Sequence, residues 1–174
     1  MEKKTYTISV YTENNVGLLN RISAIFLKRH INIESLTVSG SEIEHVHRFV
    51  IVIESTESAV IKLVGQIEKQ IEVIRAYYHT DEETIYQESA LFKISSSLLF
   101  DERQIQNIIK KSNANIVTVS REFFVLEKSG RKHEIDEMYS ELQPFGILQF
   151  VRSGRISVSK TAMQISSILK EFNN

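Results

Sequence analysis

The chain has 174 residues, 42% hydrophobic and 25% charged, which is typical of one ordinary globular domain or two small ones. Its 21 basic and 22 acidic residues give a formal net charge of −1, which argues against a nucleic-acid-binding surface because such surfaces need excess basic residues. The sequence contains no cysteine, so disulfide bonds, thiolate zinc sites and cysteine nucleophiles are excluded.

The N-terminus enters a strand pattern at Thr5 without the apolar segment of a signal peptide. The apolar run at 49–53 is far shorter than the ~20 residues that a membrane-spanning helix needs. We therefore expect a soluble, cytoplasmic protein with no membrane partner.

The first half of the chain predicts the element order β-α-β-β-α-β. Alternating β-branched and aromatic residues predict the first strand, and the apolar spacing after Gly17 predicts a helix of about 12 residues. A hairpin of two strands, a second helix and a final strand follow. The predicted elements lie at 5–12, 18–29, 32–39, 46–54, 57–70 and 72–79.

The second half repeats this order after a polar stretch at 81–88, which has three consecutive acids and is interpreted as a linker. NIESLTVS at 32–39 and NIVTVS at 115–120 occupy the same position in the two halves. We predict an α+β fold of two tandem ferredoxin-like βαββαβ domains. The domains cover 1–80 and 89–158, and an amphipathic helix in 159–174 carries Ala162, Ile165, Ile168, Leu169 and Phe172.

The segment FVIVI at 49–53 does not alternate between apolar and polar residues. In a β-α-β-β-α-β unit both helices cover one face of the sheet, so a strand covered on one side should alternate. Both faces of this strand are therefore predicted to be buried. We expect another domain or a second copy of the chain to cover the open face, most simply in a symmetric dimer.

Sequence motifs for catalysis are missing: there is no phosphate-binding glycine loop and no Gly-x-Ser-x-Gly motif. His45 and His47 could place two imidazoles on one side of a strand, but no third metal ligand lies nearby. An RNA-recognition domain has the same element order and would stack bases on Tyr6 and Phe49, yet its glycine-bearing motif and basic rim are absent. We predict no catalytic residue, no metal site and no nucleic-acid partner.

The segment NNVGLLNRI at 14–22 joins the first strand to the first helix and is the best candidate for a ligand site. Asparagine side chains could simply cap the helix. Alternatively, free N–H groups at 16–19 would attract a carboxylate, assisted by the helix dipole. Gly17 would let that ligand approach the backbone closely.

Asn14 and Asn32 offer donors and acceptors for both a carboxylate and an ammonium group. We expect these two positions to lie near each other at one end of the sheet or of its partner's sheet. The pattern indicates a pocket for a small amino acid, whose aliphatic side chain would contact Val16, Leu18, Leu19 and Ile33.

Residues 9–39, SVYTENNVGLLNRISAIFLKRHINIESLTVS, resemble the N-terminal ACT domain of the regulatory small subunit of acetohydroxyacid synthase, also called acetolactate synthase. IEKQIEVIRA at 67–76 resembles the end of that domain, and FGILQFVRSGRISVSK at 145–160 resembles the family's ARSG region. The resemblance extends over almost the whole chain. The positions that stand as in the family include Glu13, Asn14, Gly17, Leu19, Arg21 and the segment NIESLTV.

The resemblance implies a regulatory subunit without an active site. Such subunits activate a separate catalytic large subunit, which uses thiamine diphosphate, magnesium and FAD and condenses pyruvate with pyruvate or 2-oxobutyrate. Valine, and in some members leucine or isoleucine, binds between the ACT domains of two subunits and inhibits the enzyme. We therefore expect no cofactor in this chain, a homodimer through its ACT domains, and the catalytic large subunit as partner.

The resemblance also assigns roles to particular residues. It places effector binding on Asn14, Gly17 and Asn32, and activation of the partner on a C-terminal region that includes Arg152, Ser153 and Gly154. Two positions depart from the family and would reshape the pocket: Leu18 replaces the usual alanine, and His30-Ile31 replaces a pair that begins with glycine.

Two other functions stay open at this point. One is a free-standing ACT-type amino-acid sensor that regulates a different biosynthetic enzyme. The other is a ferredoxin-like enzyme with an unrecognised site.

Overall fold

The computed structural model describes residues 2–101 and 103–170, which form two compact units. The described residues up to Tyr86 form the first unit together with those from Arg155 onward, and Gln87–Gly154 form the second. No helix in the described ranges has the length and apolar character needed to cross a membrane.

The first unit contains a four-stranded antiparallel sheet in the order β2-β3-β1-β4. Its core lies between the sheet and one side of two helices, because Leu18, Ile22 and Phe26 recur along one helical face and pack on apolar strand residues. The elements are β1 Lys4–Glu13, α1 Leu18–Lys28, β2 Ser35–Gly40, β3 Val46–Ser55, α2 Glu57–Ile67 and β4 Val73–Thr80.

The second unit has a sheet in the order β6-β7-β5-β8 and a separate core around Phe92, Phe124 and Met138. Where the repeated order predicts one helix after the first strand of this unit, the structure has two. The elements are β5 Thr84–Ser95, α3 Ser97–Asp101, α4 Arg103–Ser112, β6 Asn115–Val119, β7 Phe123–Gly130, α5 Lys132–Leu142, a 3-10 turn Gln143–Phe145 and β8 Ile147–Arg152. The element orders and sheet topologies confirm the predicted α+β fold of tandem ferredoxin-like domains.

The segment predicted as a linker, 81–88, is instead a turn followed by the beginning of β5. The Glu83 carboxylate accepts hydrogen bonds from the Thr80 N–H at 2.8 Å and from its hydroxyl at 3.0 Å. These bonds hold the pKa of Glu83 below its ordinary value. Tyr86 donates to the Asp81 carboxylate at 3.0 Å. Two of the three consecutive acids therefore stabilise the turn.

The open face of the first sheet is covered by residues 155–170 of the same chain, which we call the C-terminal segment. It contains β9 Ile156–Ser159, which pairs with β5, and α6 Ile165–Lys170. Leu169 is fully buried against Tyr11 and Val46. The predicted burial of both faces of β3 is thus correct, but the expectation that another domain or a second copy covers this face was wrong.

The C-terminal segment is anchored at its beginning by Arg155. The Arg155 Nη1 donates to the Thr7 hydroxyl at 2.9 Å and to the Asp81 carboxylate at 2.6 Å, and the guanidinium carbon lies 3.7 Å from the Tyr86 ring centroid. The helix predicted in 159–174 begins only at Ile165, and Ala162 lies in the loop before it. Phe172 lies outside the described residues.

Candidate functional site

The loop at 14–17 joins β1 to α1, and Gly17 is its last residue. Gly17 has φ 81° and ψ −1°, a left-handed conformation that glycine adopts at little cost. A Cβ built on Gly17 would meet no atom within 4 Å. The space in front of this backbone is therefore open, and the glycine is required by conformation rather than by crowding.

The loop side chains do not cap α1, so capping does not explain the asparagines. Among the described residues, no side chain caps the start of this helix and its first turn contains no acid, although the Leu18 N–H donates to the Asn15 carbonyl at 3.4 Å. Asn15 donates its side-chain amide to the Glu13 carboxylate at 3.1 Å, while the Asn14 N–H donates to the His45 carbonyl at 3.1 Å. Beyond Leu18, the first turn of the helix keeps N–H groups that no described side chain caps and that an external acceptor can use.

The apolar residues expected at the pocket divide into two groups. Leu18 is buried in the first core, and Ile33 packs partly against the same core. Val16 is fully exposed and Leu19 is 46% exposed. Only Val16 and Leu19 therefore present apolar surface beside the helix start.

The structure does not bring Asn14 and Asn32 together within one chain. They lie beyond opposite ends of α1, whose 11 residues span about 16 Å. Asn14 lines a cleft with Glu13 and His45, whereas Asn32 lines a different cleft with Lys3 and other residues. The expected proximity of the two asparagines is wrong for a single chain, because the helix that separates them in sequence also separates them in space.

Arg21, one of the positions shared with the family, lies on α1 and forms an ion pair with Glu72. The Glu72 carbonyl in turn accepts a hydrogen bond from the Glu13 N–H at 2.9 Å. Glu72, which precedes β4, therefore contacts both the end of β1 and helix α1, the two elements that the 14–17 loop connects. This arrangement fixes the position of the helix start relative to the sheet.

The proposed partner-contact residues close the last strand of the second unit. Arg152 forms an ion pair with Asp136, and its Nε lies 3.6 Å from Glu88 Oε2. The Ser153 N–H donates to the Ser89 carbonyl at 2.8 Å, and the Ser153 hydroxyl donates to the Gly154 carbonyl at 2.9 Å. The Arg152 guanidinium is therefore already engaged by two carboxylates within its own unit.

Two alternative sites that the sequence allowed are not assembled. His45 lies in the turn before β3 with φ 62°, so the prediction that its imidazole shares one side of a strand with His47 is wrong. Within the described ranges, no three His, Cys, Asp or Glu side chains are grouped to hold a metal ion. Tyr6 and Phe49 are both buried in the first core, where they cannot stack on nucleic-acid bases.

The sequence reasoning missed two cations that the structure places between the first sheet and the C-terminal segment. Arg155 forms the buried contacts described above, and Arg48 donates to the Ser9 hydroxyl at 3.1 Å and the Ser157 carbonyl at 2.6 Å. A signal was present at Arg48, since a cation directly precedes the apolar run at 49–53 of the same strand. The partner atoms could not be found from sequence, because Ser157 lies 109 positions away.

Comparisons with known proteins agree with this architecture. Residues 8–75 match a family model described as an AHAS small subunit-like ACT domain, and residues 87–161 match one described as small subunit of acetolactate synthase. The Bacillus subtilis acetolactate synthase small subunit is 35% identical over 173 residues, which cover 98% of each chain. The Mycobacterium bovis protein of that name is 32% identical over 160 residues, covering 92% of this chain and 95% of the relative.

A solved structure shows the same fold. The crystal structure of the acetolactate synthase small subunit from Thermotoga maritima superposes with a TM-score of 0.82 at 22% identity, covering 92% of this chain and 99% of that one. The first unit is thus an ACT domain in a protein of tandem ferredoxin-like domains. The chain belongs to the acetolactate synthase small-subunit family.

Proposed function

We propose that this chain is the non-catalytic regulatory subunit of acetohydroxyacid synthase. In this role it activates the catalytic large subunit and confers feedback inhibition by a branched-chain amino acid, with valine the first choice. Membership of the small-subunit family supports the partnership. Thiamine diphosphate, magnesium and FAD then belong to the catalytic subunit rather than to this chain.

The open helix start after Gly17 is the observation that carries the effector site. The N–H groups that follow Leu18 in the first turn have no side-chain cap among the described residues, and together with the helix dipole they favour a carboxylate there. The Asn14 side chain is exposed and offers an oxygen to the ammonium group, while Val16 and Leu19 present apolar surface to an aliphatic side chain. A small apolar amino acid matches all three features.

The complete site requires two copies of the chain. Because Asn14 and Asn32 lie beyond opposite ends of α1, Asn32 reaches an effector on the loop only from a second protomer. Pairing of each loop with the partner's Asn32 gives a symmetric homodimer with two equivalent sites. Effector binding would then change how the protomers meet, and the catalytic subunit must alter effector affinity by the same factor.

A negative charge introduced at position 17 provides the sharpest test of the site. Gly17→Asp should raise the inhibitory valine concentration at least about tenfold, or about 1.4 kcal/mol, because a carboxylate would repel the effector's own. Gly17→Asn is the matched control, since asparagine has the same size and also tolerates a left-handed backbone but carries no charge. Acetolactate formation by the holoenzyme, measured against valine concentration, distinguishes the two variants. Unchanged inhibition of Gly17→Asp would remove the loop from the effector site.

Co-purification tests the partner. We expect the chain to bind the catalytic large subunit and to raise its rate of acetolactate formation. Capture of a different biosynthetic enzyme, with no effect on acetolactate formation, would instead favour the free-standing ACT-type sensor. Arg152→Met tests the proposed partner contact: it should lower activation while valine binding to the isolated chain is retained.

A further inference from the structure

A cleft of about 550 Å³ lies under the C-terminal segment, entirely within the first unit. Its sheet wall includes Tyr11, Arg48 and Tyr77, and its other wall combines the apolar Val158, Met163 and Ile165 with hydroxyl and amide side chains of the C-terminal segment. Small-molecule sites combine apolar surface with polar groups that fix the ligand's orientation, and this cleft offers both. The loop at 14–17 does not line this cleft.

Arg48 is held in place within the cleft without a carboxylate partner. Its Nη2 makes both hydrogen bonds, to the Ser9 hydroxyl and the Ser157 carbonyl, and the guanidinium carbon lies 5.7 Å from the Tyr11 ring centroid. None of the ion pairs between described residues includes Arg48, and its buried Nε has no hydrogen-bond partner among them. A partly buried cation of this kind is costly unless an anion neutralises it.

The other charged groups of the cleft do not neutralise Arg48. Glu42 also lines the cleft, but its side chain is exposed, accepts a hydrogen bond from the Ser166 hydroxyl at 3.0 Å and forms no ion pair with Arg48. His79 adds a donor on the sheet wall. The cleft therefore combines a cation that has no ion-pair partner among the described residues with three apolar side chains of the C-terminal segment.

We propose that this cleft is a second ligand site, which binds a small organic carboxylate with an apolar chain. The carboxylate lies on the Arg48 guanidinium, and the chain packs against Val158, Met163 and Ile165. Because one wall is the C-terminal segment, bound ligand also fastens that segment to the sheet. This site is separate from the proposed effector loop and does not depend on it.

Methionine methyl groups offer a direct readout in the full-length chain. The sequence has three methionines, of which Met163 lines the cleft and Met138 is buried in the core of the second unit. With carbon-13-labelled methionine methyls, isovalerate should shift the Met163 resonance saturably and leave that of Met138 in place. Isovaleramide, the neutral molecule of the same shape, should give no saturable shift.

Substitutions at Arg48 assign the charge. Arg48→Gln keeps a donor for Ser9 but loses the cation, and we expect at least about tenfold weaker isovalerate binding. Arg48→Lys keeps the cation and should retain most of the affinity, while Gly17→Asp should leave the titration unchanged. Equal shifts with the amide, an unaffected Arg48→Gln, or loss of the shift in Gly17→Asp would each overturn the proposal. So would the absence of any saturable Met163 shift with wild-type protein, a result that needs no variant to fold.

Discussion

The second residue after α1, His30, has an unusual backbone conformation. His30 has φ 52°, its N–H donates to the Leu27 carbonyl at 3.0 Å, and the Ile31 N–H donates to the Phe26 carbonyl at 3.1 Å. This is the Schellman pattern, in which the left-handed position usually holds glycine. Histidine in place of glycine at this position has a structural cost of about 1 kcal/mol.

His30→Gly should therefore stabilise the first unit by about 1 kcal/mol, partly offset by the greater freedom of glycine in the unfolded chain. The midpoint of thermal unfolding should rise by roughly 2–4 °C. Asn113 ends α4 in the same pattern with φ 50°, and asparagine tolerates this conformation, so Asn113→Gly is a control with a smaller expected gain. A lower midpoint for His30→Gly would show that the imidazole makes a stabilising contact.

A second residue-scale prediction concerns Asp136. Hydrogen bonds from Arg152 and Lys132 hold the pKa of Asp136 below its ordinary value of 3.8. A depressed folded pKa means that the stabilisation is fully present above the ordinary value and is lost as the pH falls through the folded pKa. Asp136→Asn should thus lower the unfolding midpoint at neutral pH, and the difference from wild type should shrink below about pH 4.

The cause of the lowered Asp136 pKa can be checked separately by NMR titration of the side-chain carboxyl carbon. In Arg152→Met the pKa of Asp136 should rise toward its ordinary value, because the donor with the largest effect is gone. An unmoved pKa would mean that Lys132 alone holds the carboxylate in its charged form.

At the scale of elements, α6 is too short to be stable by itself. It has six residues, and isolated helices below about 12 residues are marginal in water, so its stability must come from packing. Leu169 supplies that packing because it is fully buried against Tyr11 and Val46, with Ile165 beside it. Helix formation here depends on the sheet rather than on local sequence.

Leu169→Ala should detach α6 while the two domain cores stay folded. We expect a local loss of about 2 kcal/mol, the low end for a buried leucine, because a chain end can rearrange. Limited proteolysis should then cleave near residues 160–170 much faster than in wild type. Ser167→Ala, an exposed change on the same helix, is the control and should leave the rate unchanged. Equal cleavage of both variants would show that Leu169 does not anchor the segment.

At the scale of the whole molecule, the covered sheet face constrains how two copies can associate. The C-terminal segment packs on the sheet face that the strand pattern predicted a second copy would cover. We therefore do not expect two copies of the chain to associate through that face. The separation of Asn14 from Asn32 along α1 gives a different reason for a dimer. Two antiparallel copies would place each loop beside the other's Asn32.

Sedimentation equilibrium should accordingly give a mass near twice the 20.1 kDa of the chain. Calorimetric titration should give one bound valine per chain, because the two sites of a symmetric dimer are equivalent. Tight valine binding by a strictly monomeric chain would contradict the two-copy site and would leave Asn32 without a role in it.

The sequence by itself determined the order of the elements, the two-domain pattern and the resemblance of the first segment to its family. These follow from neighbours in sequence, because a helix or a strand places its buried residues at a fixed period. The burial of both faces of β3 also followed from its lack of alternation.

Only the tertiary structure showed which segment covers β3, which hydrogen bonds the acids at 81–83 accept, and that Asn14 and Asn32 lie apart. Each of these depends on contacts between distant positions, such as Arg155 with Thr7 and Arg48 with Ser157. Such contacts leave no periodic pattern in the chain. They form because folding brings a cation, a hydroxyl and a carbonyl together, and the residues near each group in sequence do not specify that meeting.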